Sequence, residues 1–130
     1  MNPEAFAYRI ESTKSFDEVV QNIKDQTAAH QFRVLAEHNV QETLAEKGLE
    51  RPPLKILEVC NAKFAHQALE KEVGVAIFMP CRYSVYADGD KTVVTLGRPS
   101  MIAQMMPEAG LDDLAGGVEN TLKSIMEKSV

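Results

Sequence analysis

Val73-Gly-Val-Ala-Ile-Phe-Met-Pro-Cys-Arg-Tyr-Ser-Val-Tyr86 leads through Ala87-Asp-Gly-Asp90 into Lys91-Thr-Val-Val-Thr-Leu96. Two runs rich in β-branched and aromatic residues, parted at Asp88-Gly89, carry the signature of a β-hairpin. The remaining segments are expected to pack around it. A two-residue turn at Asp88-Gly89 sets Tyr86 opposite Lys91, Val85 opposite Thr92, Tyr83 opposite Val94 and Cys81 opposite Leu96. Side chains alternate across a strand. Val73, Val75, Ile77, Met79, Cys81, Tyr83 and Val85 therefore share a core face with Val94 and Leu96. Ala76, Phe78, Arg82, Ser84 and Tyr86 share the other with Val93 and Thr95. Pro80 cannot donate to a ladder and marks a bulge or an edge. A slip of one residue would swap the faces.

Outward from the hairpin, Phe6–Glu11 reads as a first strand. Ser15-Phe16-Asp17-Glu18 is a capping box, followed by an apolar stripe of Phe16, Val19, Val20, Ile23 and Thr27 at helical spacing and ending near His30. Phe32–Glu37 is a second strand. Asn39 caps a short helix, Val40–Lys47, with Gly48 as its left-handed stop. Pro52-Pro53 leads into a third strand, Leu54–Cys60, and Asn61 caps a helix, Lys63–Lys71. After the hairpin, Gly97-Arg98-Pro99-Ser100 breaks the chain and Met101–Met106 is a short amphipathic turn. Leu111, Leu114, Ala115, Val118, Leu122 and Ile125 make the cleanest helical stripe. Gly116-Gly117 within it costs roughly 1 kcal/mol per glycine, which close packing of helix on sheet would explain. Five strands and two long helices give an α+β two-layer sandwich with a mainly antiparallel sheet and helices on one face. The uncovered face, with Phe78 and Tyr86, suits burial against a second copy in a homodimer.

The chain has 130 residues, the size of a single domain spanning 1–130. Its net charge of −5 argues against nucleic-acid or anionic-membrane partners, both of which select basic surfaces. The first residues lack the basic and apolar regions of a signal peptide, and no apolar run spans a bilayer. Two cysteines then suggest free thiols in a reducing cytoplasm.

Cys60-Asn61 is the most suggestive dipeptide, because it ends a strand and opens a helix. A thiolate there is favoured by the helix dipole and by unpaired N–H donors. Lys63 adds positive charge and His66 lies one turn further on. Cys60 is thus a candidate nucleophile, carrier or soft-ligand thiol, with His66 as candidate base. The plain alternative is a small residue fitted to a tight junction. Cys81 reads as a packed core thiol unless Pro80 turns it towards Cys60. Asn61, Lys63, Cys81, Arg82 and Tyr86 complete the candidate ligand-binding set, Arg82 and Tyr86 also serving as dimer contacts. No zinc spacing is present and no cofactor is implied. A soft-metal site would need Cys60 or Cys81 with Met79, Met101 or Met105. No glycine-rich phosphate loop, nucleophilic triad or helical His-Glu-x-x-His occurs.

Ile56-Leu57-Glu58-Val59-Cys60-Asn61 and Ile77-Phe78-Met79-Pro80-Cys81 resemble segments of an uncharacterised family of small bacterial and archaeal proteins, domain of unknown function 302. The Val40–Gly48 helix, Pro52-Pro53, the residues Ala65, His66, Ala68 and Leu69, and the Pro99–Met101 turn are similar too. The family's usual Cys-Asn-Pro reads Cys60-Asn61-Ala62 here, without the proline that pre-sets the first helical turn. The resemblance implies a two-layer sandwich like half of the TATA-binding protein, and a dimer; it implies no DNA binding and no catalytic residues. Three functions therefore stand open: a homodimeric binding or carrier module for a small ligand, a soft metal or a sulfur-bearing thiol partner; a thiol enzyme; or a structural protein with packing cysteines.

Overall fold

A computed structural model describes residues 3–130. Its centre is an open antiparallel sheet in the order β1-β5-β4-β3-β2. The strands are β1 (Ala7–Ser12), β2 (Arg33–Asn39), β3 (Leu54–Cys60), β4 (Cys81–Asp88) and β5 (Lys91–Gly97). The helices are α1 (Phe16–Ala29), α2 (Val40–Ala45), α3 (Ala62–Lys71), α4 (Pro99–Met105) and α5 (Asp112–Ser129). The α+β sandwich read from the sequence is the observed fold.

Local chemistry accounts for most boundaries. Ser15 accepts a hydrogen bond from the Glu18 amide at 3.2 Å, Asn39 from Glu42 at 3.0 Å and Asn61 from Phe64 at 3.1 Å. Each side-chain oxygen satisfies an amide that the first helical turn leaves unpaired. Gly48 stands at φ +74°, where an L side chain is strained. The hairpin turn lies one residue later than expected, at Gly89-Asp90, with Asp88 opposite Lys91 and Gly89 at φ +62°. Tyr83 consequently faces Leu96 and Val85 faces Val94. This moves the pairing by two residues, so the side chains keep their faces.

The run Val73–Phe78 departs from expectation: it is a 3₁₀ turn, not the first part of a strand. Val73 and Ile77 are 73% and 80% exposed, only Val75 is buried, and neither they nor Phe78 has a place on a sheet face. The β-branched residues favour a strand, but Glu72 accepts from the Gly74 amide at 2.9 Å and starts a tight turn instead. Pro80 is therefore neither a bulge nor an edge within a strand: it separates this turn from β4. The sequence-based ends of β1, β2, α2 and α3 differ by one or two residues, as fraying ends do. The Met101–Met106 turn belongs to a longer helix, α4, with Pro99 at its start.

One sheet face carries the main core. Tyr83, Val85, Val94, Leu96, Leu57 and Val59 are fully buried against Val19 and Ile23 of α1 and Leu122, Ile125 and Met126 of α5. Tyr83 Oη donates to the Leu122 carbonyl at 2.5 Å, tying α5 to the sheet centre. A second, smaller cluster gathers Val75, Ala103 and Leu111 with Leu69, Met79, Ile102 and Leu114. The opposite sheet face bears ion pairs, among them Lys91 to Glu11 at 3.1 Å and Arg82 to Glu58 at 3.7 Å.

Close packing does not explain Gly116-Gly117, since a Cβ built on either residue meets no atom within 4 Å. Gly116→Ala and Gly117→Ala are each expected to stabilise the fold by about 1 kcal/mol through helix propensity and a less flexible unfolded chain. Urea unfolding checks this; a loss of stability would mean that something covers this side of α5 in solution.

Candidate functional site

The two clusters meet without filling the space between them. The seam is a cavity of about 90 Å³ at the end of β3 and the start of β4. Val59 of β3, Phe32 just before β2 and Phe64 of α3 bound it, with Ile102 and Ala103 from α4, Val118 from α5, Val75 from the 3₁₀ segment and Met79 just after it. Cys60 and Cys81 both lie on its wall. The pairing of Val59 with Cys81 puts the two cysteines one residue out of register on adjacent strands. Asn61 holds the junction: Oδ1 caps α3, and Nδ2 donates to the Gln31 carbonyl at 3.0 Å.

Among the described residues, no charged one lines the cavity. Burial raises the Cys60 thiol above its ordinary value. Burial, with a smaller contribution from Cys60, pushes Cys81 up to about 11, against the opposing pull of Arg82. A low-pKa thiolate at the helix start is therefore not what this geometry yields. Asn61 already takes an amide of the first turn, and the apolar wall disfavours charge. Both thiols are neutral near pH 7 and act as polarizable, weakly polar contacts.

The cavity gathers Cys60, Asn61 and Cys81 from the expected site and leaves the rest elsewhere. The His66 side chain is 75% exposed and pairs with Glu70 at 3.3 Å, so it does not reach into the cavity as a base for Cys60. Lys63 is exposed. Arg82 lines a neighbouring groove. Tyr86 sits on the uncovered sheet face, opposite Val93 of β5. Met79 joins the two cysteines in the cavity, whereas Met101 and Met105 line the groove. Among the described residues no group of three or more His, Cys, Asp or Glu side chains could hold a metal.

Comparison with known proteins adds kinship. The chain matches Domain of unknown function DUF302 over residues 8–129. It belongs to the DUF302 family. A crystal structure of an uncharacterized conserved DUF302 protein from Bacillus stearothermophilus is 29% identical and superposes with a TM-score of 0.91, covering 96% of this chain and 98% of that one. None of the curated proteins matches this DUF302 chain. No helix among the described residues is long and apolar enough to cross a membrane.

Some contributors to the site escape sequence reading. Ile102 and Ala103 reach the cavity because α4 folds over the strand ends, and the signal for that helix was Pro99 at its first position. Glu119 interrupts the apolar stripe of α5 yet is 6% exposed. It accepts from the Ser100 amide at 2.9 Å and from Tyr8 Oη at 3.0 Å, and lies 3.5 Å from Arg98 Nη2. Arg98 in turn stands 4.9 Å from the centre of the Tyr8 ring. A carboxylate from α5 thus caps α4, which has no cap of its own, and holds it over the cavity.

Proposed function

We propose that this DUF302 chain is a binding module that holds a small, largely apolar molecule in the seam between its two cores. Cys60 and Cys81 would be sulfur contacts at the sheet end. The observation that carries this reading is a cavity with two neutral thiols on a wall that is otherwise almost wholly apolar. Protein cores are ordinarily close-packed, so a void of this size forfeits contacts that a ligand can restore. Apolar burial contributes about 0.8 kcal/mol per methylene, so a short chain binds weakly but measurably. A reducing cytosol suits the two free thiols. A homodimer through the uncovered sheet face is a separate proposal, tested by sedimentation equilibrium: a monomer at all concentrations would remove it.

Met79 lies in the cavity and reports its occupancy. In protein carrying ¹³C-methyl methionine, adding 1-hexanol is expected to shift the Met79 signal saturably. An unmoved Met79 signal would contradict the proposal.

A further inference from the structure

The cavity is not isolated. A groove of about 330 Å³ lies beside it, and Phe78, Pro80, Cys81 and Ile102 belong to both walls. Phe6, Ile77 and Met105 along the groove are 43%, 80% and 56% exposed. Large apolar side chains grouped in solvent mark a surface that something covers. Among the described residues, the charged ones lining the groove are Arg82 and Arg98, both positive, on a chain of net charge −5. Arg98 is committed to Glu119 and Tyr8. Arg82 is 50% exposed, and its ion pair with Glu58 is long, at 3.7 Å.

Resting on the binding function proposed above, we propose that the ligand is an aliphatic carboxylate, its tail in the cavity and its head group at Arg82. An alkyl tail suits the apolar inner wall, and the Arg82 guanidinium in the adjoining groove supplies a planar, charge-assisted partner for a carboxylate. A void of 90 Å³ is smaller than one that admits benzene, so it takes a tail of about four carbons, with the rest lying in the groove. Phe78 and Ile102, which line both spaces, are where such a ligand would pass from one to the other.

The test uses ¹³C-methyl methionine protein, wild type and Arg82→Gln, titrated with hexanoate, 1-hexanol and acetate. Hexanoate should shift Met79 in the cavity together with Met101 and Met105 in the groove. It should bind about fivefold tighter than 1-hexanol, and at least tenfold tighter than acetate. Arg82→Gln should abolish the preference of hexanoate over hexanol. Equal binding of hexanoate and hexanol, or an Arg82→Gln protein that keeps the preference, would overturn the carboxylate proposal alone. Failure of both to move Met79 would remove the cavity reading with it. Self-association that perturbs Met101 and Met105 and disappears in Ile77→Lys would identify a second copy as the occupant of the groove, and would overturn the proposal as well.

Discussion

Glu119→Ala is expected to destabilise the protein by about 3 kcal/mol and to lower its Tm by about 10 °C. The Glu119 side chain is only 8% exposed, and its removal leaves Tyr8 Oη and the Ser100 amide without their acceptor and Arg98 without its carboxylate, with only the Glu4 carbonyl and the Tyr8 ring still in contact. Removing one member of a buried polar group costs more than the interaction itself contributed, because the others stay desolvated. The effect depends on pH with a definite sign. Burial alone would raise the pKa of Glu119, but hydrogen bonds from Ser100 and Tyr8, with the nearby Arg98 charge, hold it below its ordinary value. A carboxylate depressed in the folded state stabilises fully above its unfolded pKa and progressively less as pH falls through the folded one. The gap between wild type and Glu119→Ala should therefore be widest near neutral pH and narrow below about pH 4.5. Urea denaturation at several pH values measures it; a gap independent of pH would mean that Glu119 acts by packing alone.

The features legible in the sequence are those whose signals are local. Ser15, Asn39 and Asn61 are caps that announce helices within four residues, and the period-two pattern around Tyr83 and Val85 names a strand. The 3₁₀ turn at Val73–Phe78 was not legible, because Val, Ile and Phe have the same composition in a strand as in a turn. The capping contact of the turn, Glu72 to the Gly74 amide, is visible only in the folded structure. The site was half legible. Cys60 and Asn61 at a strand–helix junction follow from pattern. That Cys81 shares their cavity, and that His66 does not, depends on strand register and on the turn of α3. Glu119 was invisible for another reason. Its partners, Tyr8 and Arg98, are 111 and 21 residues away in sequence, so no spacing rule connects them.

The other large effect concerns the thiols. In the folded protein at pH 8, Cys60 should be alkylated by iodoacetamide at least about tenfold faster than Cys81. Cys81, with its pKa near 11, is about one part in a thousand thiolate at that pH, and it is the more deeply buried of the two. Both pKa values are raised, so each rate should climb with pH beyond the range in which an unperturbed thiol has levelled off. Equal rates would mean either that Cys81 is freely reached by solvent or that both react only from unfolded chains; unfolding in urea separates these.

The most direct measurement of the central claim, that the seam between the two cores is a ligand site walled by both thiols, adds an occupant to that experiment. Saturating 1-hexanol should slow Cys60 alkylation severalfold in the folded protein and leave the rate in urea unchanged. An undiminished native rate would contradict the claim.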